Sequence, residues 1–452
     1  MKYKCAWLLW PLGIALAVSG CKGVATQGEL AARQDLRAVT RQWRPGGQPP
    51  ALPALTPSAG LINYLQYAML NQPRVAQAYF EWAASVERIT TARSLPDPQL
   101  TFEFDIQDVV TSVMPGLMAT LPGSGKLKAG ADVATAESES RYHAFESQVL
   151  QTAFDLKKAY YELLFLDARL DVNRRTLSLL GDLEKLARSQ NEVGKVTLQD
   201  VLRAQIEQDQ LTTETENLAD SRNTLLARFK AALGLTADAA VPPIPTAFET
   251  TPLDLSSDKL FAQALARNPR LKALEAEVRQ ADAAITLAQK GRIPDFTVGL
   301  EADAKAAPIL VRPQATMTLP IWKDKIAAQI AEAEAMHHAA AARLSAEQID
   351  LAVDFAEKSY VYRQDTRTLA LLQERLLPKA TQALDVSRTA YLSGQTDFLN
   401  VIDAERTLLG FQMMEVEARA EREITLAELS LLILGTPPPQ APLLPVAPVS
   451  KP

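Results

Sequence analysis

The chain has 452 residues, of which 47% are hydrophobic and 22% charged, so it can bury a core and is too apolar for general disorder. Asp and Glu outnumber Lys and Arg by 53 to 47, and the resulting formal charge of −6 argues against a nucleic-acid partner. Two cysteines and three histidines leave few possible metal sites, histidine-based catalytic sites or disulfides. We therefore expect no metal, no bound cofactor and no enzymatic activity.

Residues 1–20 have the pattern of a secretion signal, because Lys2 and Lys4 precede an apolar run that is too short to span a bilayer. The signal ends in a sequence that resembles the lipobox of bacterial lipoproteins, Val18-Ser19-Gly20-Cys21. We expect cleavage before Cys21 and a covalent lipid on that residue, which would anchor the chain without a membrane-spanning helix. An ordinary signal followed by an incidental cysteine is the alternative.

Proline-rich stretches and an internal repeat divide the rest of the chain. We predict a lipidated extended segment at 21–58, a first repeat at 59–236, a proline-rich linker at 237–257, a second repeat at 258–435 and a proline-rich tail at 436–452. Four short motifs recur in order between the repeats, and one of them follows Gly194 in the first repeat and Gly394 in the second. Their offsets drift from 196 to 200 residues, which indicates one duplicated unit with small insertions.

Each repeat has the same plan of predicted elements. A helix of about 35 residues opens it, at Leu61–Ser94 and at Lys259–Arg292. Two strands follow, at about 99–107 and 113–121 in the first repeat and at about 296–305 and 309–319 in the second. A long helical run then ends at a glycine, and a final helix closes the repeat. Pro378 lies inside the second long run and should kink it.

The four strand segments alternate between apolar and polar residues, as in Phe102-Glu103-Phe104-Asp105. Segments of this length and pattern are typical of transmembrane β-strands, although a soluble hairpin with one face on a core would read the same way. Pro115 and Pro313 remove ladder donors and should make the return strands irregular. Since the smallest membrane barrels have about eight strands, membrane-spanning strands would require two or three chains.

The duplicated plan resembles that of the TolC family of outer-membrane efflux proteins, over roughly residues 60–435. The proline at each helix-to-strand entry and the stretches Leu121–Glu137 and Leu376–Glu405 fit the family, and the lipobox resembles its lipoprotein branch. The resemblance implies a mainly α fold with a small β part. Long-helix hairpins would form a periplasmic α-barrel, and four transmembrane strands from each chain of a homotrimer would form a twelve-stranded barrel.

The resemblance also implies a function and partners. The chain would be the outer-membrane channel of a tripartite pump, anchored to outer-membrane lipid. It would passively conduct substrates from an inner-membrane efflux transporter and a periplasmic membrane-fusion adaptor. A non-channel periplasmic coiled-coil scaffold or adaptor is the alternative, and it would have no need for apolar strand faces at matched positions in both repeats. The sequence does not name the exported substrate.

The two broken helical runs mark the expected periplasmic tip. Glycine permits the positive φ that ends a helix, and the family meets its adaptor at such turns. We therefore predict adaptor contact at Val193, Gly194, Lys195, Ser393, Gly394 and Gln395. Simple helix capping is the alternative, and both roles can hold together.

Acidic residues that follow the turns are candidates for a pore constriction, because threefold symmetry would make each inward carboxylate a ring of three charges. The resemblance favours Asp403, with Asn400 standing where the family often has a second acid. Asp397 and Asp200 are further candidates. As an alternative, Thr197 and Asp200 read as a capping box, and Asp397 as a helix cap.

Two other motifs receive structural interpretations. Gly123-Ser124-Gly125-Lys126 is interpreted as a strand-to-helix turn rather than a phosphate loop, because its flanks depart from that motif. Trp322 follows the last strand, where it is either an aromatic anchor at the membrane interface or a packing residue at the strand–helix joint.

Overall fold

The computed structural model describes residues 24–44, 47–56, 59–106, 110–244, 259–306, 308–438 and 441–444. The predicted signal at 1–20 and Cys21 lie outside these residues, as does most of the predicted linker and tail. The helices are α1 (Gln27–Trp43), α2 (Leu61–Asn71), α3 (Pro73–Arg93), α4 (Lys126–Glu192), α5 (Leu198–Ala232), α6 (Lys259–Arg267), α7 (Pro269–Lys290), α8 (Lys323–Leu371), α9 (Leu377–Leu392) and α10 (Phe398–Ala427). The strands are β1 (Gln99–Ile106), β2 (Val110–Leu121), β3 (Phe296–Asp303) and β4 (Leu310–Met317). A mainly helical chain with four strands is thus confirmed.

Each repeat opens with two helices, so the prediction of one helix of about 35 residues is wrong. Pro73 begins α3 and Pro269 begins α7. Proline has no backbone N–H to continue a helix and disfavours helical geometry in the residue before it. Accordingly, Gln72 is extended, with φ −69° and ψ 120°.

The predicted extended segment at 21–58 is also wrong in part, because Gln27–Trp43 forms the 17-residue helix α1. Its last residue, Trp43, is 2% exposed and packs edge-on against Tyr79 with ring centroids 4.4 Å apart. Near its start, the 1% exposed Glu29 forms ion pairs with Arg33 and Arg93. These buried contacts stabilise α1, which was not predicted because the segment that contains it is rich in proline.

The long helical runs differ between the repeats. In the first repeat α4 continues for 67 residues and Gly181 does not interrupt it. In the second, a five-residue π-helix at Leu372–Leu376 separates α8 from α9, and the N–H of Leu377 donates to the carbonyl of Leu372. Pro378 cannot donate to the carbonyl of Glu374 and its ring crowds that group, so the predicted irregularity lies in the turn just before the proline.

The strands form one antiparallel sheet in the order β1-β2-β3-β4. Two hairpins are joined by pairing of β2 with β3, where Leu117 lies opposite Leu300. β2 and β4 are continuous through Pro115 and Pro313, and the register shift falls instead between Asp105 and Ile106. Within the described residues, the outer edges of β1 and β4 have no partner strand.

The chain divides into two compact units. The first comprises the described residues within 24–37, 82–140 and 275–342 and contains the sheet. The second comprises the described residues within 38–81, 141–274 and 343–444 and contains the two glycine turns. Within the described part of the chain, no helix combines the length and apolar character needed to cross a membrane.

Candidate functional site

One face of the sheet is apolar and exposed. Because side chains alternate across a strand, the register places Leu100, Leu117 and Leu300 side by side on this face, where they are 65%, 56% and 60% exposed. The same face carries other exposed large apolar side chains, namely Phe102, Phe104, Leu121, Phe296, Val298, Val311 and Met317. The part of the chain that the structure describes therefore does not cover this apolar face.

The opposite face is polar and more covered. Glu301 is 6% exposed, accepts a hydrogen bond from Gln314 Nε2 and lies opposite Arg312. Toward the helical end of the sheet, the hydroxyls of Thr120 and Thr297 are 3.1 Å apart. A soluble hairpin would place its apolar face inward and its polar face in water; this sheet does the reverse.

The two glycine turns have the same geometry. Gly194 and Gly394 both have φ of 73°. The N–H of Gly194 donates to Asn191 O and that of Lys195 to Gln190 O, at 3.0 and 2.9 Å. This pair of bonds forms a Schellman motif, and the second turn repeats it. A Cβ at either glycine would meet nothing within 4 Å, so glycine is required here for its backbone conformation alone.

The turns meet at a cleft of about 690 Å³. Five of the predicted tip and constriction residues line it, and they come from both repeats: Lys195, Asp200, Ser393, Gly394 and Asp397. Arg203 lines it as well. Val193, Gly194, Gln395, Asn400 and Asp403 are not among its lining residues. The structure therefore brings the two turns together but separates Asp403 from the cleft.

The two glycine turns cap their helices, but the capping roles considered for Thr197 and Asp397 are not observed. Thr197 and Asp397 occupy N-cap positions with extended backbones, yet neither side chain makes a capping hydrogen bond. Burial raises the pKa of Asp200; the charge of Asp397 raises it further and that of Arg203 lowers it. Asn400 Nδ2 donates to Thr396 Oγ1 at 2.6 Å, and Asp403 is exposed on α10.

Glu405, a buried acid in α10, was not predicted as a site residue from the sequence. Glu405 is 2% exposed, and burial, aided by the nearby charge of Glu207, raises its pKa to about 7. Glu207 in turn forms an ion pair with Arg406, whose Nε is 3.1 Å from Oε2. Glu405 lies four residues after Val401, a helical spacing that places it on the same face, and Val401 is fully buried.

Metal-ligating groups are sparse. Among the described residues, no group of three or more His, Cys, Asp and Glu side chains is arranged to hold a metal ion. His337 Nε2 lies 3.1 Å from Asp282 Oδ1, which is an ion-pair geometry when the histidine is protonated.

Comparison with known proteins gives a consistent picture. The family described as outer membrane efflux protein matches residues 64–235 and 260–435. The cobalt-zinc-cadmium resistance protein CzcC of Cupriavidus metallidurans is 22% identical over 332 residues, which cover 71% of this chain and 77% of CzcC.

Solved structures share the fold. The outer membrane protein VceC of Vibrio cholerae superposes with a TM-score of 0.70 at 18% identity, over 83% of this chain and 96% of VceC. The MtrE outer membrane channel of Neisseria gonorrhoeae superposes with a TM-score of 0.70 at 16% identity, over 83% of this chain and 89% of MtrE.

Proposed function

Because the chain belongs to the outer membrane efflux protein family, we propose that it is the exit duct of a tripartite efflux pump. Substrates would enter from an inner-membrane efflux transporter through a periplasmic membrane-fusion adaptor and diffuse out without bond chemistry. The sheet carries this proposal, since its exposed apolar face suits lipid and its polar face suits water. A periplasmic scaffold would leave that apolar face in water, at a cost of about 25 cal/mol for each Å².

The duct would be a homotrimer. Each chain offers four strands with open edges at β1 and β4, so copies can join edge to edge and remove those edges. Two chains would give eight strands, and the interior of an eight-stranded barrel is filled by side chains. Three chains would give twelve strands, and of the two assemblies this larger one leaves room for water.

Exposed apolar residues on α8 support association of the helical part. Ile349, Val353 and Tyr360 are 65%, 57% and 56% exposed, and their spacing of four and seven residues places them on one helical face. In a trimer of long helices this stripe would pack against a neighbouring copy.

The outer membrane is the proposed location, with a lipid on Cys21 as an additional anchor and the helices extending into the periplasm. α1 begins six residues after Cys21, so the lipid would hold this helix close to the membrane. The chain would then be attached by both its strands and its lipid.

The paired turns are the proposed adaptor contact. Val193 is 66% exposed and Lys195 and Ser393 line the shared cleft, so the helical hairpin of an adaptor could contact both turns together. Asp403 is the proposed constriction residue, and Asp397, Asp200 and Asn400 are further candidates. A threefold ring of such carboxylates would favour cations.

Divalent metal ions are a proposed cargo, because the relative CzcC is named for cobalt, zinc and cadmium resistance. Ions need only diffuse through a water-filled duct, so the chain itself requires no metal site.

The assembly is tested by the native mass of the detergent-extracted protein, followed by single-channel recording in planar bilayers. We expect trimers that form stable pores, and Asp403→Ala should change conductance or cation preference. A monomer extracted without detergent from a variant lacking Cys21 would favour the scaffold.

A further inference from the structure

The apolar face of the sheet continues beyond β4 into the segment that leads to α8. Thr318 N donates to Asp295 O at 2.9 Å, which extends the pairing one step past the strands. Leu319, Ile321 and Trp322 follow, and they are 62%, 64% and 71% exposed. Large apolar side chains are thus presented at the helical end of the sheet, in the same unit of the chain.

A small cavity of about 190 Å³ lies beside Trp322. Its charged lining consists of Lys126, Asp295 and Lys325. Lys126 Nζ lies 2.8 Å from Asp295 Oδ1, so these two charges neutralise each other. Lys325 is exposed and has no ion-pair partner among the described residues, which leaves the cavity with one uncompensated positive charge.

The segments that contribute to this cavity are rich in basic residues, in a chain that is acidic as a whole. We call the segments 122–128, 290–295 and 318–326 the strand–helix joint. It contains six basic residues against two acidic ones, the basic ones being Lys126, Lys128, Lys290, Arg292, Lys323 and Lys325. Lys290 lies close to the start of α4. Its Nζ is 3.4 Å from the position that a Cβ atom on Gly125 would occupy. A positive surface therefore borders an apolar one.

We propose that the strand–helix joint binds an anionic glycerophospholipid of the membrane leaflet that faces the helices. The acyl chains would lie on Leu319, Ile321 and Trp322. Lys325, which lines the cavity, would bind the headgroup phosphate there, and Lys323 would add positive charge nearby. Tryptophan is the residue favoured at membrane interfaces, and lysines near a bilayer attract anionic lipid. This inference rests on the proposed function, because it requires the sheet to span a membrane.

Tryptophan fluorescence reports directly on this contact. The chain has five tryptophans, and Trp7 and Trp10 lie in the predicted signal. Trp43 and Trp82 are 2% and 1% exposed, so Trp322 is the residue within reach of a lipid-borne quencher. The full-length protein would be reconstituted into vesicles of phosphatidylcholine or phosphatidylglycerol with bromine on the upper acyl chain, and Trp322→Phe would supply the background.

We expect quenching of Trp322 in both kinds of vesicle. In mixed vesicles we expect stronger quenching when phosphatidylglycerol carries the bromine than when phosphatidylcholine carries it. Enrichment of anionic lipid should be about fivefold for each lysine. Lys323→Gln/Lys325→Gln should abolish the preference while leaving the quenching, whereas the matched exposed pair Lys185→Gln/Lys379→Gln should leave both unchanged.

Three results would overturn the inference while single-channel conductance in the same preparation stays intact. Equal enrichment of the two lipids would show that no headgroup is selected. No quenching by either lipid would assign Trp322 to a contact with a second copy of the chain. Loss of the preference in inorganic phosphate, but not in chloride of equal ionic strength, would assign the site to free phosphate. Loss of both conductance and quenching would instead refute the proposed function and the inference with it.

Discussion

The side-chain amide of Asn268 donates a hydrogen bond to the carbonyl oxygen of Leu432, 164 residues away, at 2.9 Å. Asn71 makes the equivalent bond to Leu233 over 162 residues, also at 2.9 Å. In each repeat, an asparagine one or two residues before a proline-initiated helix is thus bonded to the end of the last helical run. In the second repeat that run continues past α10 as a π-helix at Glu428–Ile433. The two bonds are the clearest structural sign of the duplication.

Asn268→Ala should destabilise the protein by about 2–3 kcal/mol, because the side chain is 2% exposed and its loss leaves buried carbonyls unpaired. Its Oδ1 also accepts the N–H groups of Arg270 and Leu271 at the start of α7, a helix cap worth about 1 kcal/mol. Asn71→Ala should cost less, since Asn71 is half-buried. Thermal unfolding followed by circular dichroism measures both; equal midpoints in the wild type and Asn268→Ala would contradict the role assigned to this bond.

Glu29 should hold α1 in place, since it is buried with Arg33, Arg93 and Thr90 as partners. Arg93 is the main cause of a pKa lowered from 4.5 to about 2, so its stabilisation is present above pH 4.5 and is lost as the pH falls toward 2. Glu29→Ala should cost about 3 kcal/mol, because it leaves the largely covered Arg93 without its ion-pair partner, and it should expose α1 to limited proteolysis at neutral pH.

Glu87 is the matched control, because it bonds Arg33 through an exposed side chain. Glu87→Ala should change the free energy of unfolding by no more than about 1 kcal/mol. Cleavage of α1 at the wild-type rate in Glu29→Ala would show that other contacts hold the helix.

Glu405 should make the tip sensitive to pH. Burial raises its pKa from 4.5 to about 7, so the folded protein binds more protons than the unfolded chain between these values. Stability should therefore fall as pH rises through this window, by at most about 3 kcal/mol. Glu405→Gln should remove this component of the pH dependence and be more stable than the wild type at pH 8. Thermal unfolding at pH 5 and pH 8 tests this, and an unchanged pH profile in the variant would contradict it.

Replacing glycine by alanine should change the free energy of unfolding in opposite directions at the turns and within a helix. Gly194→Ala and Gly394→Ala force a side chain into φ of 73°, which should cost about 1 kcal/mol each. Gly181 lies inside α4 with nothing within 4 Å of its Cβ position, so Gly181→Ala should stabilise by about 0.5–1 kcal/mol. Chemical denaturation separates the two signs, and a stabilised Gly194→Ala would refute the conformational argument.

Features that act locally were predictable from the sequence, and features that depend on tertiary packing were not. The four strands and both glycine turns lie where alternation and glycine placed them, because backbone geometry there is set by the residues themselves. The helix break before Pro73 also follows from local backbone geometry, so it could have been predicted from the sequence. In contrast, α1 depends on Glu29 and Trp43 meeting distant partners, and the burial of Glu405 depends on α5 and α10 packing together.

The proposed duct is tested most directly by asking whether one face of β4 contacts water and the other contacts lipid. Thr316 and Ala315 are exposed neighbours on opposite faces, and Cys21 is the one cysteine beyond the predicted signal. In planar bilayers, a charged, water-soluble thiol reagent should lower the conductance of Thr316→Cys and leave Ala315→Cys unchanged. Modification of Ala315→Cys with no effect on Thr316→Cys, or the absence of pores from folded trimers, would contradict a water-filled duct lined by the polar face.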